Sequence, residues 1–585
     1  MVRRATAFLI VGALLMALAS MVGAQSQFTL PGIPNPKVAT FPPEVGKYGG
    51  TYVVSSISDP RTFNPIIVQD TASGAVTNVM FDGLVEQDYI TGEIEPGLAE
   101  SWTVSSNGRT WVFTLRQGLV WSDGTPLTVD DVVFSIQAIF TPGVDNSFRS
   151  LLTFSGQQVT WRKLDARRIQ FTTPTSLCPV GLFLRFIGFP IVPKHKLADV
   201  LARSGAEFSR TWGVNVDPKT MVGSGPFLLQ SFTPGQRVIM LKNQKYWQVD
   251  KRGQRLPYLV RYIIVTVPNQ DAARLQFLAK QIDAYGARGR EFAELKGLEK
   301  QGDFTIYDGP ETFTREFIVF NQNPRGVRAP KLSWFSDVKF RIALAHAIDQ
   351  NTMSRQVLAG RATTSTSDIS AGNKLYYDAS LQPYPYDLNR AQQLLAEAGY
   401  RKGADGFLRD AQGNVVEFTI VTNAGNQDRE AYGNIVRQDF VKLGIRATFV
   451  TESFPSLVGK LTGTYNWEAI IIGFTGGIEH GTARNLWLTT GDLHMWNPNQ
   501  TTPATQWEAE VDRVFEQYAC EPDQAKRKAL MTQFQQVVYR NLPMLYFPYQ
   551  KTQPALRNTI GNVKLGLQGA TGTLGTRYYK GPYRP

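Results

Sequence analysis

The stretch Ala469-Ile470-Ile471-Ile472-Gly473-Phe474-Thr475-Gly476-Gly477 decides the fold. Four apolar residues, three of them β-branched, predict a strand buried on both faces, the pattern of a central parallel strand. The run then breaks into Gly473 and the pair Gly476-Gly477, where no Cβ keeps a neighbour from the backbone. Ligands of open α/β sheets lie beyond the carboxyl ends of such strands. The loop after Ile472 is therefore the first candidate for binding.

Working outward, residues 415–422 predict a strand, 428–443 a helix ending at Gly444, and 445–450 a second strand. A helix over 454–461, opened by Phe454, leads into the quoted run. Such units imply a parallel sheet with right-handed crossovers. Asn423-Ala424-Gly425-Asn426 and Phe474-Thr475-Gly476-Gly477 then emerge at one sheet edge. Upstream, 317–320 reads as a strand and Asp337 caps a helix. Another helix starts at Asp387, carries Ala391, Leu394, Leu395 and Ala398 on one face and stops at Gly399. Downstream come a long helix over 522–541 and a strand over 544–549.

The N-terminal half reads differently. Residues 48–54 predict a strand, and Val76, Val79, Met80 and Leu84 a helix ending near Gly83. Ser105-Ser106-Asn107-Gly108 between alternating runs is a hairpin signal. Thr128-Val129-Asp130-Asp131 caps a helix striped by Val132, Val133, Ile136, Ile139 and Phe140. Strands follow over 168–171, 227–232, 237–242 and 261–267.

A chain of 585 residues exceeds one ordinary core, so two or three domains are expected. With 43% hydrophobic and 19% charged residues, it has the composition of a packed protein. Arg3-Arg4, an apolar run over 8–19 and Val22-Gly23-Ala24 read as a secretory signal cleaved before Gln25, the alternative being an uncleaved anchor. Residues 25–47 hold five prolines and no periodicity, and read as an extended arm or tether. The net charge of +12 becomes +10 without residues 1–24, with 59 basic against 49 acidic residues. These charges are scattered rather than striped, which argues against nucleic acid. Cys178 and Cys520 are the two cysteines; a disulfide and two buried thiols both remain open.

No constellation for catalysis is present: no G-x-S-x-G elbow, H-E-x-x-H, P-loop or G-x-G-x-x-G. Asp130-Asp131 and Glu93/Glu95 are better explained by a cap and a solvated loop than by a glycosidase pair. His480 and His494 follow the quoted strand and are weighed as metal ligands, but lone loop histidines usually make polar contacts, so no metal and no cofactor is expected. Trp487, Trp496 and Trp507, beside a glycine-lined loop, suit sugar stacking or a side-chain pocket.

Motifs in order then carry a resemblance. Glu95-Pro96-Gly97-Leu98-Ala99-Glu100-Ser101-Trp102 precedes Trp121-Ser122-Asp123-Gly124-Thr125-Pro126-Leu127-Thr128. Gly223-Ser224-Gly225-Pro226-Phe227 precedes Lys242-Asn243-Gln244-Lys245-Tyr246-Trp247. Asp337-Val338-Lys339-Phe340-Arg341 and Leu394-Leu395-Ala396-Glu397-Ala398-Gly399-Tyr400 follow. The chain resembles the family 5 extracellular solute-binding proteins of bacterial ABC importers, the group of oligopeptide, dipeptide and nickel binders.

The resemblance implies an α/β, type II periplasmic-binding-protein-like fold of two lobes joined by a hinge. The first lobe would comprise 48–84, 211–311 and 549–585, with a small α+β domain inserted over 85–210; the second lobe would span 312–548. It implies a monomer that captures a small molecule, a peptide or an oligosaccharide, and delivers it to ABC permease subunits. The ligand-binding candidates are Gln69, Asp70 and Thr71, Phe148 from the inserted domain, Asn423, Phe454, Phe474, Thr475, Gly476 and Gly477 around the sheet edge, and Trp487, His494 and Trp496 beyond it. Oligopeptide binders hold an acid for the ligand's amino group where this chain has Gly477, or Gly476 one place over. Either another acid serves, with Asp70 and Glu479 as candidates, or the ligand is not a free-amine peptide. A metal-chelate reading would use His494. A hydrolase on the same fold is the competing class.

Overall fold

In the computed structural model, the described residues are 29–39, 44–88, 90–175, 183–185, 187–569 and 571–581. The expected signal segment and Cys178 lie outside them. The chain folds as two α/β lobes.

The quoted run forms the strand Ala469–Phe474, with its first four residues buried. It is the middle strand of a five-stranded sheet ordered Arg446–Glu452, Glu417–Asn423, Ala469–Phe474, Arg315–Phe320, Met544–Tyr546. Alternate side chains enter two cores. Phe317, Val319, Ile470 and Ile472 join one apolar cluster, and Ile318, Phe320, Ala469 and Ile471 the other. Double-sided burial accounts for the unbroken isoleucine run.

The all-parallel expectation is corrected. Ala469–Phe474 is parallel to Glu417–Asn423 (Ile420 opposite Ala469) but antiparallel to Arg315–Phe320 (Arg315 opposite Phe474). The strand Arg315–Phe320 is entered directly from the segment joining the lobes, not through a crossover helix, and so runs the other way. That reversal puts Arg315 at the carboxyl edge of its neighbours.

Helix Gln427–Lys442 fills the predicted crossover, its first turn capped by Asn426, and Gly444 leaves it at φ +90°. The sequence also carried an unread helix, Gln506–Cys520, closed by a capping box between Thr505 and Glu508. It packs beside Gln524–Asn541.

In the first lobe, Thr51–Ser56, Arg261–Thr266, Arg237–Lys242 and Phe227–Thr233 form one sheet. The tail strand Pro554–Arg557 lies between Ala284–Gly286 and Phe304–Ile306 in another. The section between carries an antiparallel sheet of Ala99–Val104, Thr110–Leu115, Arg168–Thr172 and Thr160–Lys163, with helix Val129–Phe140 against it. Two expectations fail here. The helix expected to reach Gly83 is Thr71–Thr77. The carbonyls of Val79 and Met80, needed to continue it, accept instead from the amides of Phe227 (3.0 Å) and Gly225 (2.8 Å). The described part of the arm is docked, not a tether: Leu30 and Ile33 are buried, and Lys37 pairs with Glu86 at 2.9 Å and Glu95 at 3.1 Å.

Two antiparallel segments join the lobes. The Thr312 amide donates to Gln550 O, Thr552 to Pro310 O and Tyr307 to Pro554 O, each at 2.9 Å. Opposite this hinge, one apolar cluster runs unbroken from Phe63 and Phe113 through Leu152 and Phe154 to Trp487 and Phe534, so the lobes are in contact. Among the described residues no helix is long and apolar enough to cross a membrane.

The sheet makes a prediction about stability. Ile471 is fully buried whereas Val450, on the edge strand, is 43% exposed. Ile471→Ala is expected to cost about 2–5 kcal/mol in urea unfolding and Val450→Ala under about 0.5 kcal/mol. Equal losses would contradict the strand order.

Candidate ligand cleft

Beyond Phe474 the chain must pass close to the connecting segment. A Cβ on Gly476 would lie 2.3 Å from the Phe313 carbonyl oxygen, so only glycine fits there. Gly477, Ile478 and Glu479 then form one wall of a cleft of about 680 Å³. The opposite wall comes from the first lobe, with Asp82, Glu86 and Tyr246, and from the tail loop 571–575; Arg185 enters from the inserted section. This hollow is bounded by both lobes. A second, of about 520 Å³ between Glu44, Tyr307 and Lys580, touches the first lobe alone.

Glu479 is held firmly. The Tyr376 hydroxyl donates to its carboxylate at 3.1 Å, the Tyr518 hydroxyl donates to the same carboxylate, and the two hydroxyls lie 2.8 Å apart. Burial, reinforced by the Glu479 charge, pushes both phenols above their ordinary range, so both keep the protons they donate. Asn373 Nδ2 donates to Ile478 O at 2.9 Å and Thr482 Oγ1 to Glu479 O at 2.8 Å, fixing the loop backbone.

Behind this loop lies a buried ionic hub. Asp368 Oδ1 is 2.6 Å from Arg315 Nε, with side chains 0% and 2% exposed. His480 Nε2 lies 2.9 Å from Asp368 Oδ2, and that oxygen accepts from Trp487 Nε1 at 2.9 Å. Burial draws the His480 pKa below its ordinary value despite the nearby carboxylate, which keeps the ring neutral at pH 7.

Across the cleft, Asp82 accepts from Trp247 Nε1 at 2.7 Å. Burial first, and the Glu86 charge second, push its carboxyl pKa up to about 7. Glu86 is itself bound by Lys37 and, at 2.7 Å, by Gln248 Nε2. Arg185 donates to Gly92 O at 2.7 Å; burial lowers its pKa and the Glu479 charge opposes that.

Of the residues nominated from sequence, Gly477 lines the cleft. Gly476 supports it from behind, and Thr475 is exposed. Phe474 packs its ring over Arg315 at 5.7 Å. Asn423 is buried and accepts from Arg429 Nη1 at 2.8 Å. Phe454 packs half-buried on the apolar cluster. Asp70 caps Thr71–Thr77, accepting from the amide and hydroxyl of Ser73 at 2.8 Å, with Gln69 and Thr71 beside it. Phe148 lies 6.4 Å, centroid to centroid, from Phe189 and does not itself line the cleft.

The aromatic candidates need correction. Trp487 and Trp496 are 1% exposed and His494 0%. Trp496 Nε1 donates to Glu508 at 2.9 Å, and the His494 ring lies tilted against Trp496 with centroids 3.9 Å apart. They close the core between helices, with both indole N–H groups and His494 Nδ1 partnered inside it. Glu479, weighed beside Asp70 as a replacement acid, is the one at the cleft. Asp82, Glu86, Arg185 and the tail loop were missed; the only local signal was the Trp247 motif, whose indole needs a buried acceptor.

Comparisons with known proteins agree with this architecture. The model for "Bacterial extracellular solute-binding proteins, family 5 Middle" matches residues 93–493. A probable ABC transporter-binding protein of Deinococcus radiodurans is 29% identical, over 92% of this chain and 93% of its own. The structure of the Bacillus subtilis oligopeptide-binding protein AppA with a nonapeptide superposes with a TM-score of 0.79 at 23% identity, over 92% of this chain and 100% of that one. The Agrobacterium fabrum periplasmic binding protein MelB with stachyose superposes with a TM-score of 0.80 at 21% identity, over 91% and 84%.

The Asp82 environment has a pH consequence. Its folded pKa lies above the ordinary carboxyl value near ~4, so folding favours the protonated form. That contribution is complete below about pH 4 and is lost as pH rises through about 7. Asp82→Asn is expected to melt progressively higher relative to wild type between those limits and to level off above them. A difference independent of pH would contradict the assignment.

Proposed function

The chain belongs to the bacterial extracellular solute-binding proteins of family 5, and on that premise we propose that it captures a short peptide with a free amino terminus between its lobes and hands it to the membrane subunits of an ABC importer. The observation that carries the peptide reading is the ionic lining: Asp82 and Glu86 face Glu479 across the cleft, with Arg185 beside them. Carboxylates on both walls suit an ammonium group and a guanidinium suits a carboxylate, which together describe a zwitterion. A volume of about 680 Å³ falls in the range of small-ligand sites. Glu479, two residues past the glycine where oligopeptide binders hold their acid, takes the partner's role for the amine.

The mechanism is differential affinity. A ligand that touches Glu479 and Asp82 together does so only with the lobes closed, and so shifts the hinge equilibrium. Capture occurs outside the cytoplasmic membrane, by a monomer, without turnover. A sugar ligand keeps the support of the neutral Gly476-Gly477 pair but lacks the tryptophans, which lie in the core. The chelate reading lacks His494 for the same reason.

A thermal-shift panel of tri-alanine, N-acetyl-tri-alanine, stachyose and nickel-histidine tests this. Tri-alanine at about 100 times its Kd should stabilise by roughly 2.7 kcal/mol. The acetylated peptide should do far less, and Glu479→Gln should weaken tri-alanine about tenfold or more, roughly 1.4 kcal/mol. Stabilisation by stachyose alone would refute the peptide reading.

A further inference from the structure

Far from the hinge, one side chain ties the second lobe to the inserted section. Arg484, on the short helix Arg484–Trp487, packs against Phe148–Leu151, and its side chain is 1% exposed. Its Nε donates to Ser150 O at 3.3 Å and Nη2 to Thr153 O at 2.9 Å, both in the inserted section. The guanidinium lies over the Phe154 ring at 5.0 Å. Within its own lobe, Nη1 donates to Phe515 O at 3.3 Å and Nη2 to Glu516 Oε1 at 2.6 Å. Ser155 Oγ donates to Glu516 Oε2 at 3.4 Å, and Thr175 Oγ1 lies 3.2 Å from Cys520 Sγ, along the same boundary.

We propose that Arg484 is a closure latch, a residue outside the ligand cleft that holds the second lobe against the inserted section and so adds to the affinity for any ligand that requires closure. The partners divide as a latch requires. Glu516 and Phe515 travel with Arg484 and keep it charged and aimed when the lobes part. Ser150 O, Thr153 O and the Phe154 face are met only when they close. In the closed arrangement the guanidinium is out of water and makes four hydrogen bonds, so these contacts are stronger than at a surface. On opening, water replaces the two carbonyls. The guanidinium is therefore stranded in neither state, and the contact can be made and broken repeatedly.

Arg484 and the cleft carboxylates act on one equilibrium, but Arg484 acts equally on every ligand. Losing one charge-assisted hydrogen bond across the boundary should lower the closed-to-open ratio about tenfold. With open and closed forms comparably populated in the free protein, a ratio falling from about three to about a third shifts the free population visibly. It raises every Kd by the same factor of about three. This consequence rests on the solute-capture reading above; the latch itself does not.

The test uses the full chain, refolded and dialysed, as wild type, Arg484→Ala, Arg484→Lys and Phe154→Leu. Small-angle scattering should give a larger radius of gyration for R484A and F154L. Amides of 148–155 should exchange about threefold faster while the strand Ala469–Phe474 keeps its protection. R484K should lie between, since an ammonium cannot span both carbonyls. Where wild type binds tri-alanine, R484A should raise its Kd about threefold. If tri-alanine does not bind wild type, the peptide reading fails while scattering and exchange still judge the latch. F154L alters the boundary from the other lobe, so it decides the matter if R484A does not fold. Unchanged scattering and exchange in both variants, or an R484A effect spread through the second lobe with F154L silent, would overturn the proposal.

Discussion

The second lobe depends on one buried charge pair, Arg315 with Asp368, whose side chains are 2% and 0% exposed. Two ions without water are costly unless they face each other, and removing either partner leaves the other stranded. Arg315 is the first residue of its strand after the hinge, and Asp368 lies in a loop far along the chain. Their attraction fixes where the chain enters the lobe. The same carboxylate takes the Trp487 indole and the His480 ring, so the strand, the turn after the ligand loop and the following helix are held to one point.

Glu479 precedes His480, and its position follows from that anchor. The hub holds the loop from behind, and Tyr376 and Tyr518 hold the carboxylate from the side. Their hydroxyls come from a loop and from helix Gln506–Cys520, each packed into the same apolar cluster. A charged group presented this way has little freedom to lose on binding, which is how a cleft wall gains affinity without extra contacts. Gly476 is part of the same arrangement, because its missing Cβ lets the loop lie against the Phe313 carbonyl.

Local signals in the sequence were read well where local forces decide. The isoleucine run, the Asn423 loop and the Thr128 capping box all lie where pattern puts them. The antiparallel entry of Arg315–Phe320 was not legible, because strand direction depends on the route between lobes and not on residue pattern. The tryptophans misled for a related reason. Trp487 and Trp496 beside a glycine loop look like a stacking platform, but Asp368 and Glu508 satisfy their indoles inside the core, and both acids are distant or unremarkable in sequence. Asp82 was hidden in what read as a helix end. Only the diversion of the Val79 and Met80 carbonyls to the Gly225 segment turns it toward the cleft.

Charge and apolar surface are assigned to different parts of the lobe boundary. The cleft between hinge and latch is lined with carboxylates, while the rim beyond it joins an apolar cluster that continues from one lobe into the other. Apolar contact is nondirectional and favours closure whatever the cleft contains. Carboxylates facing one another across an empty cleft oppose closure, since like charges in a poorly screened space repel. On one wall the same like-charge effect is visible, since the Glu86 charge adds to burial in raising the Asp82 pKa. The rim therefore supplies the tendency to shut and the lining supplies the resistance. On the proposed capture of a peptide, an ammonium group between the walls would remove that resistance, so the ligand's charge, more than its bulk, would decide when the lobes come together.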